Sequence, residues 1–221
     1  MLQIKLVILF TVLGLITGCT SFPRIYSGDE IHGWVIDSKT KQPIKDVVVV
    51  EIWKLRGGMH VDHTANIHIA ETVTDENGYY EFSNWGPRFT MSGWMDRSSP
   101  FLKFYKFGYL PAHRMNRIGG RPILDYSESE HSGKKIKLEK FEGVPKEYQK
   151  KLGSIYGILQ TSHYRSSFDC VWVNIPMFTF EMIKVGEYFR KNRVGTGFPS
   201  LTSLPDPGCE NPEEILKGYL K

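Results

Sequence analysis

Four consecutive valines, Val47 to Val50, continue through a run that ends in Ile52 and Trp53. β-Branched and aromatic residues at this density favour extended chain, and successive side chains in a strand point to opposite faces. Val48, Val50 and Ile52 therefore define one face, and Val47, Val49 and Trp53 the other. A strand that is apolar on both faces has to be covered on both. A partner sheet can supply one cover, so something else must lie on the outer face. Upstream, Ile31 to Asp37 reads as a second strand. Asp37 to Asp46 collects Asp, Ser, Thr, Lys, Gln and Pro between the two runs, as a chain reversal does. Pro43 presets φ for a turn, and Asp46 tolerates a left-handed conformation. The two runs are expected to fold back on one another.

Thr72-Val73-Thr74-Asp75-Glu76-Asn77-Gly78-Tyr79-Tyr80-Glu81-Phe82 gives another strong local signal. Asn77 and Gly78 can take φ > 0, as hairpin turns require, so a hairpin is predicted here. Gly33-x-Val35-x-Asp37, Thr40-x-Gln42-Pro43-Ile44, the valine strand, Thr74-Asp75-x-Asn77-Gly78-x-Tyr80-x-Phe82 and Gly108-Tyr109 together resemble the carboxypeptidase regulatory-like domain. Asp46 stands where that pattern usually has Gly, and Leu55 to Asn66 reads as an insertion. The resemblance implies a mainly β fold: a transthyretin-like, seven-stranded antiparallel β-sandwich over residues 30–141; a helical extension over 142–221 is read separately, from the spacing of its apolar residues. The resemblance implies an accessory or binding module and carries no catalytic residues over.

Residues 1–18 hold one cation, Lys5, before an apolar run too short to span a bilayer comfortably, which reads as the core of a secretory signal. The run ends in Leu15-Ile16-Thr17-Gly18-Cys19, which resembles a bacterial lipobox whose cysteine is acylated; an ordinary signal peptide with an accidental cysteine is the alternative. Lipid on Cys19 would make the membrane a partner without a transmembrane helix, since each buried methylene contributes about 0.8 kcal/mol. Thr20 replaces the Asp of an inner-membrane retention signal. The expected location is the cell envelope, at the outer membrane facing the periplasm if the cell is Gram-negative. Residues 19–29 then read as a tether.

About 200 residues beyond the signal suffice for one domain plus an extension. The net charge of +4 is spread over 28 basic and 24 acidic residues, which is no nucleic-acid signature. With Cys19 acylated, Cys170 and Cys209 are the pair that an oxidising compartment would join, with two unpaired buried thiols as the alternative. A bond across 39 residues would contribute about 4 kcal/mol on the chain-entropy account.

His60-x-Asp62-His63, with His68 beyond, offers ligand types that suit zinc or copper, although an exposed polar hairpin tip has the same composition. No cofactor is expected. Asn84 to Pro100 is aromatic but broken by Gly and Pro, which excludes a regular core strand. Its Trp85 and Trp94 either form a lid over the sandwich or a stacking surface for a sugar or peptide. Lys135 to Glu139 alternates as a last strand with one wet face.

Beyond Glu142 the period becomes helical. Pro145 suits a first helical position, and Tyr148, Leu152, Ile155, Tyr156 and Leu159 share a stripe. Gly153 and Gly157 imply close approach to a neighbour. Pro176 opens a second helix with Phe178, Met182, Val185 and Phe189 on one face, and Asn211 caps a short third. These helices are expected to cover the outer valine face, so that Val47→Asp or Val49→Asp loosens them.

The leading functional expectation is a non-catalytic envelope lipoprotein with an envelope protein partner. A metal or carbohydrate binder comes second. Third is a transthyretin-family hydrolase, because Tyr164-Arg165-Ser166-Ser167 is somewhat similar to that hydrolase's terminal motif. An iron site of two Tyr and two His, as in dioxygenases of this fold, has no spacing in its favour.

Overall fold

The computed structural model describes residues 24–57, 64–91, 93–117, 127–160, 170–195, 197–203 and 209–219, with backbone alone at Thr64, Ser154 and 156–160. Cys19, the signal, the first ligands of the metal reading (His60, Asp62 and His63) and Tyr164 to Ser167 lie outside the described residues.

Ten strands are described: β1 (Arg24–Gly28), β2 (Ile31–Asp37), β3 (Val48–Arg56), β4 (Thr64–Val73), β5 (Tyr79–Phe82), β6 (Trp85–Thr90), β7 (Trp94–Met95), β8 (Phe101–Tyr105), β9 (Ala112–Arg114) and β10 (Lys134–Leu138). They form a sheet β10-β2-β5, a larger sheet β4-β3-β8-β9 with β7 on the far end of β3, and a two-stranded ribbon β1-β6. The pairs are antiparallel except β10 with β2, which is parallel. The chain is thus mainly β and sandwich-like, with more strands than the seven expected and one parallel pair.

The alternation of β2 decides which face is buried: Ile31, Gly33, Val35 and Asp37 point inward. They meet Val47, Val49, Trp53, Leu102 and Phe104 across a core shared with Tyr80, Phe82, Ile136 and Leu138. β10 keeps its lysines outside and buries Ile136 and Leu138, as its alternation predicts.

The valine strand and its upstream neighbour do not pair. β3 is hydrogen-bonded to β4 on one side and to β8 and β7 on the other, which leaves no edge for β2. The polar segment between them still turns. Asp37 Oδ1 accepts the amides of Lys39 and Thr40 at 2.8 Å each, and Ile36 bridges Pro43. Asp46, at φ 56°, then sends the chain across the core into the opposite sheet. The expected hairpin at Asp75 to Gly78 is also a crossing between sheets. Asp75 Oδ1 accepts the amides of Asn77 and Tyr79 and Gly78 has φ 69°, yet β4 pairs with β3 while β5 pairs with β2. Turn chemistry specifies a reversal of direction; which sheet receives the next strand depends on where its apolar face finds cover.

The helices are α1 (Pro145–Gln160), α2 (Val171–Asn174), α3 (Pro176–Lys191) and α4 (Pro212–Leu216). They cover the valine strand as expected, but on the face of Val48, Val50 and Ile52. Those residues, with Tyr105, pack against Tyr148, Leu152, Ile155, Phe178, Met182, Val185 and Phe189. Val47 and Val49 belong to the core between the sheets. The expected test positions were therefore on the wrong face.

Three ties bind helices to strands or to each other. Glu71 of β4 accepts the amides of Met177 and Phe178, at 2.7 and 2.8 Å, where α3 begins. The Tyr148 hydroxyl accepts the amide of Gly108 at 2.9 Å and donates to the Tyr109 carbonyl at 3.0 Å. Cys170 and Cys209 form a disulfide with a Cα separation of 5.7 Å, beside the small core of Trp172, Ile183 and Leu216. Asn211 caps α4 by accepting the Glu213 amide at 2.9 Å. Among the described residues, nothing lies within 4 Å of where a Cβ on Gly153 would stand.

Candidate functional site

The most unusual side chain in the sandwich is Glu51, a carboxylate in the middle of the valine strand with 1% of its surface exposed. Alternation places it on the face of Val49 and Trp53, towards the partner sheet. A buried carboxylate is tolerated only where hydrogen bonds replace water. Glu51 has two such partners: His68 Nε2, 2.9 Å from Oε1, and the Trp53 indole N–H, which donates to Oε2 at 3.3 Å.

The long β3-β4 pairing supplies this arrangement. His68 stands opposite Trp53, and Ala70 opposite Glu51, so the imidazole and the carboxylate meet on one face. The His68 ring stacks on Trp85 with centroids 4.8 Å apart and planes 14° apart. Trp85 in turn packs edge-on against Trp53 at 5.4 Å. Gly28 makes room for Trp85, since a Cβ there would stand 2.1 Å from the indole nitrogen. Arg88 lies 5.8 Å from the Trp85 ring and donates to the Ile67 carbonyl on the outer edge of β4. Asn66, Ile67, His68, Ile69, Arg88, Val171 and Asn174 line a small open cleft there.

Chemically, Glu51 orients His68 through Nε2. The other ring nitrogen, Nδ1, is buried with no hydrogen-bond partner among the described residues, and so is the Trp85 indole nitrogen. The Glu51 bond fixes the His68 ring in the orientation that stacks on Trp85. Groups of three or more His, Cys, Asp or Glu able to hold a metal do not occur among the described residues. Of the metal candidates His60, Asp62, His63 and His68, only His68 is described, and its Nε2 is engaged by Glu51.

The two tryptophans of the sequence reading part company. Trp85 is buried, while Trp94 is 58% exposed. A second polar knot lies below Trp94. Asp96 is buried and accepts Arg56 Nε at 2.6 Å and the Ser98 amide at 2.9 Å. Burial pushes the neighbouring Lys54 ammonium below its ordinary pKa, a shift that the Asp96 charge opposes.

No family model and no curated protein matches this chain. Solved structures that are similar to it in part include the following two. One is 3-chlorocatechol 1,2-dioxygenase from Rhodococcus opacus 1CP, 14% identical, with 52% of this chain and 61% of that chain covered and a TM-score of 0.31. The other is a 9R-lipoxygenase from Cyanothece PCC8801, 14% identical, with 79% of this chain and 25% of that chain covered and a TM-score of 0.27. The chain thus spans less than two thirds of either protein, and scores this low carry no argument about its activity.

Sequence reasoning passed over Glu51. Its signal was available: a single carboxylate inside an otherwise apolar strand, on the face that a sandwich must bury. Its partner was visible only as one of several histidines.

Proposed function

We propose that this chain is a non-catalytic, lipid-anchored envelope protein. In this reading its sandwich is a transthyretin-like, carboxypeptidase regulatory-like module that binds or braces another envelope component. The observation that carries the reading is the Cys170–Cys209 bond. Structural disulfides persist in oxidising compartments, which is where a chain with the segment Leu15 to Cys19 would be delivered. The geometry of the family-like motifs supports the module assignment. Val35 donates to the Gly78 carbonyl at 2.8 Å, Gly108 turns at φ 84°, and Gly33 lies under Tyr80 where any Cβ would clash. The inward-facing Glu51–His68 pair supports a packing role, because its carboxylate is sealed from solvent.

Metabolic labelling with radioactive palmitate tests the anchor. The full chain is expected to incorporate label and to remain with membranes until detergent is added, whereas Cys19→Ser is expected to do neither. An unlabelled wild-type chain would refute the reading.

A further inference from the structure

The ribbon β1-β6 stands apart from the two larger sheets and is apolar on the side that faces away from them. Its inner side is fixed: Trp85 is buried, and the Tyr26 hydroxyl accepts the Met95 amide at 3.2 Å. On its outer side Ile25 and Phe89 are direct cross-strand partners and are 68% and 63% exposed. Met91 and Trp94 follow in the chain and are each 58% exposed. At that end Arg24 ties the ribbon to β7, with its guanidinium 4.3 Å from the Trp94 ring and Nη1 donating to the Gly93 carbonyl at 3.0 Å. Residues 24–28 and 85–95 contain Arg24 and Arg88 and no carboxylate.

We infer that this ribbon is a membrane-contact surface, which sets its Ile25, Phe89, Met91 and Trp94 side chains into the headgroup layer of the bilayer that holds the Cys19 lipid. The inference rests on the anchored reading above. β1 begins five residues after Cys19, and a chain of that length spans at most about 18 Å. An acylated Cys19 therefore keeps the ribbon within reach of the headgroups at all times. Its composition suits that depth. Tryptophan and other amphipathic aromatics favour the membrane interface, and a ribbon without carboxylates escapes repulsion from anionic headgroups. Ile25 and Phe89, paired across a braced ribbon, with Met91 and Trp94 exposed near its end, are a concentration of the kind that marks an interaction site, whereas scattered apolar side chains need no explanation.

The acylated full chain, inserted from detergent into vesicles of phosphatidylethanolamine and phosphatidylglycerol, tests the inference. Flotation reads the anchor. Quenching of tryptophan emission by brominated lipid reads the ribbon, with Trp94→Phe identifying that residue's share, and hydrogen exchange reads residues 24–28 and 85–90. The expected result is flotation, loss of the Trp94 emission in brominated vesicles, and slowed exchange in both ribbon strands. The Ile25→Ser/Phe89→Ser variant should still float but lose the quenching and the slowed exchange. Flotation without quenching of Trp94 overturns the ribbon inference and leaves the anchor standing. Slowed exchange that occurs in native envelopes but not in protein-free vesicles assigns the surface to an envelope protein and also overturns it. A chain that does not float refutes the anchor, and this inference with it.

Discussion

Glu71 offers the sharpest test of how the helices are joined to the sandwich. It lies on β4 opposite Val50, and its carboxylate receives the Met177 and Phe178 amides at the first turn of α3. Such amides have no partner within their own helix, and a carboxylate there also meets the positive end of the helix dipole. A hydrogen bond to a charged group contributes about 1.5 to 3 kcal/mol, part of which is offset by the cost of burying the charge. That cost is visible in the titration of Glu71, which burial pushes above its ordinary value of 4.5 against the opposing pull of the Phe178 and Met177 amides. Glu71→Ala is therefore expected to lose about 2 kcal/mol, and Glu71→Gln, which keeps one accepting oxygen, about 1 kcal/mol. With a urea slope of about 2 kcal/mol per molar, the alanine variant's midpoint should fall by about 1 M. Hydrogen exchange should quicken at the first turn of α3. The pH dependence has a definite sign. A folded pKa above the unfolded one gives stability that is complete below the unfolded value and is lost as pH rises through the folded value. Wild type should therefore gain on Glu71→Gln as pH falls from 7 towards 4.5. An alanine variant with an unchanged midpoint and unchanged exchange in α3 would refute the reasoning.

The two faces of the valine strand give a paired test. Val50→Asp places an unpaired charge under the helices and should loosen α1 and α3 first in hydrogen exchange, whereas Val49→Asp should open the core between the sheets; either costs several kcal/mol. Asp37 is held below its ordinary carboxylate pKa chiefly by the Thr40 amide, then by that of Lys39. Its contribution is present above the unfolded value of 3.8 and disappears as pH falls through the folded one, so Asp37→Asn should flatten the acid limb of stability measured below pH 4. Reducing Cys170–Cys209 should lower stability by about 4 kcal/mol, read as a fall in the thermal midpoint that alkylation makes permanent.

Much of the local structure could be read from residue order. Pro145 and Pro176 each open a helix where proline is tolerated, and the stripe of Phe178, Met182, Val185 and Phe189 is fully buried. Asp46 and Gly78 adopt the left-handed conformations that their turns demand. Strand partners were less legible. Arg24–Gly28 read as a polar tether, yet it pairs with Trp85–Thr90, a stretch whose Gly86 and Pro87 argue against a strand. Edge pairing in a short ribbon tolerates such residues, because one side of each strand carries no ladder bond. Of the site, Trp85 was named with Trp94 as either a lid or a stacking surface, but its stacking on His68 could not be foreseen. His68 and Trp85 lie 17 positions apart on strands that share no ladder, and only folding brings their rings to 4.8 Å.

The order of residues dictates what depends on near neighbours: alternation, helical stripes, turn conformations, and the requirement that both faces of Val47 to Val50 be covered. It leaves open which cover falls on which face. That choice follows from competition among distant segments for buried area, and it is settled when β4 and β8 flank β3 and the Glu71 carboxylate meets the start of α3. The same β3-β4 pairing brings the inward carboxylate of Glu51 to His68, and the tertiary arrangement leaves Ile25 and Phe89 of the β1-β6 ribbon exposed.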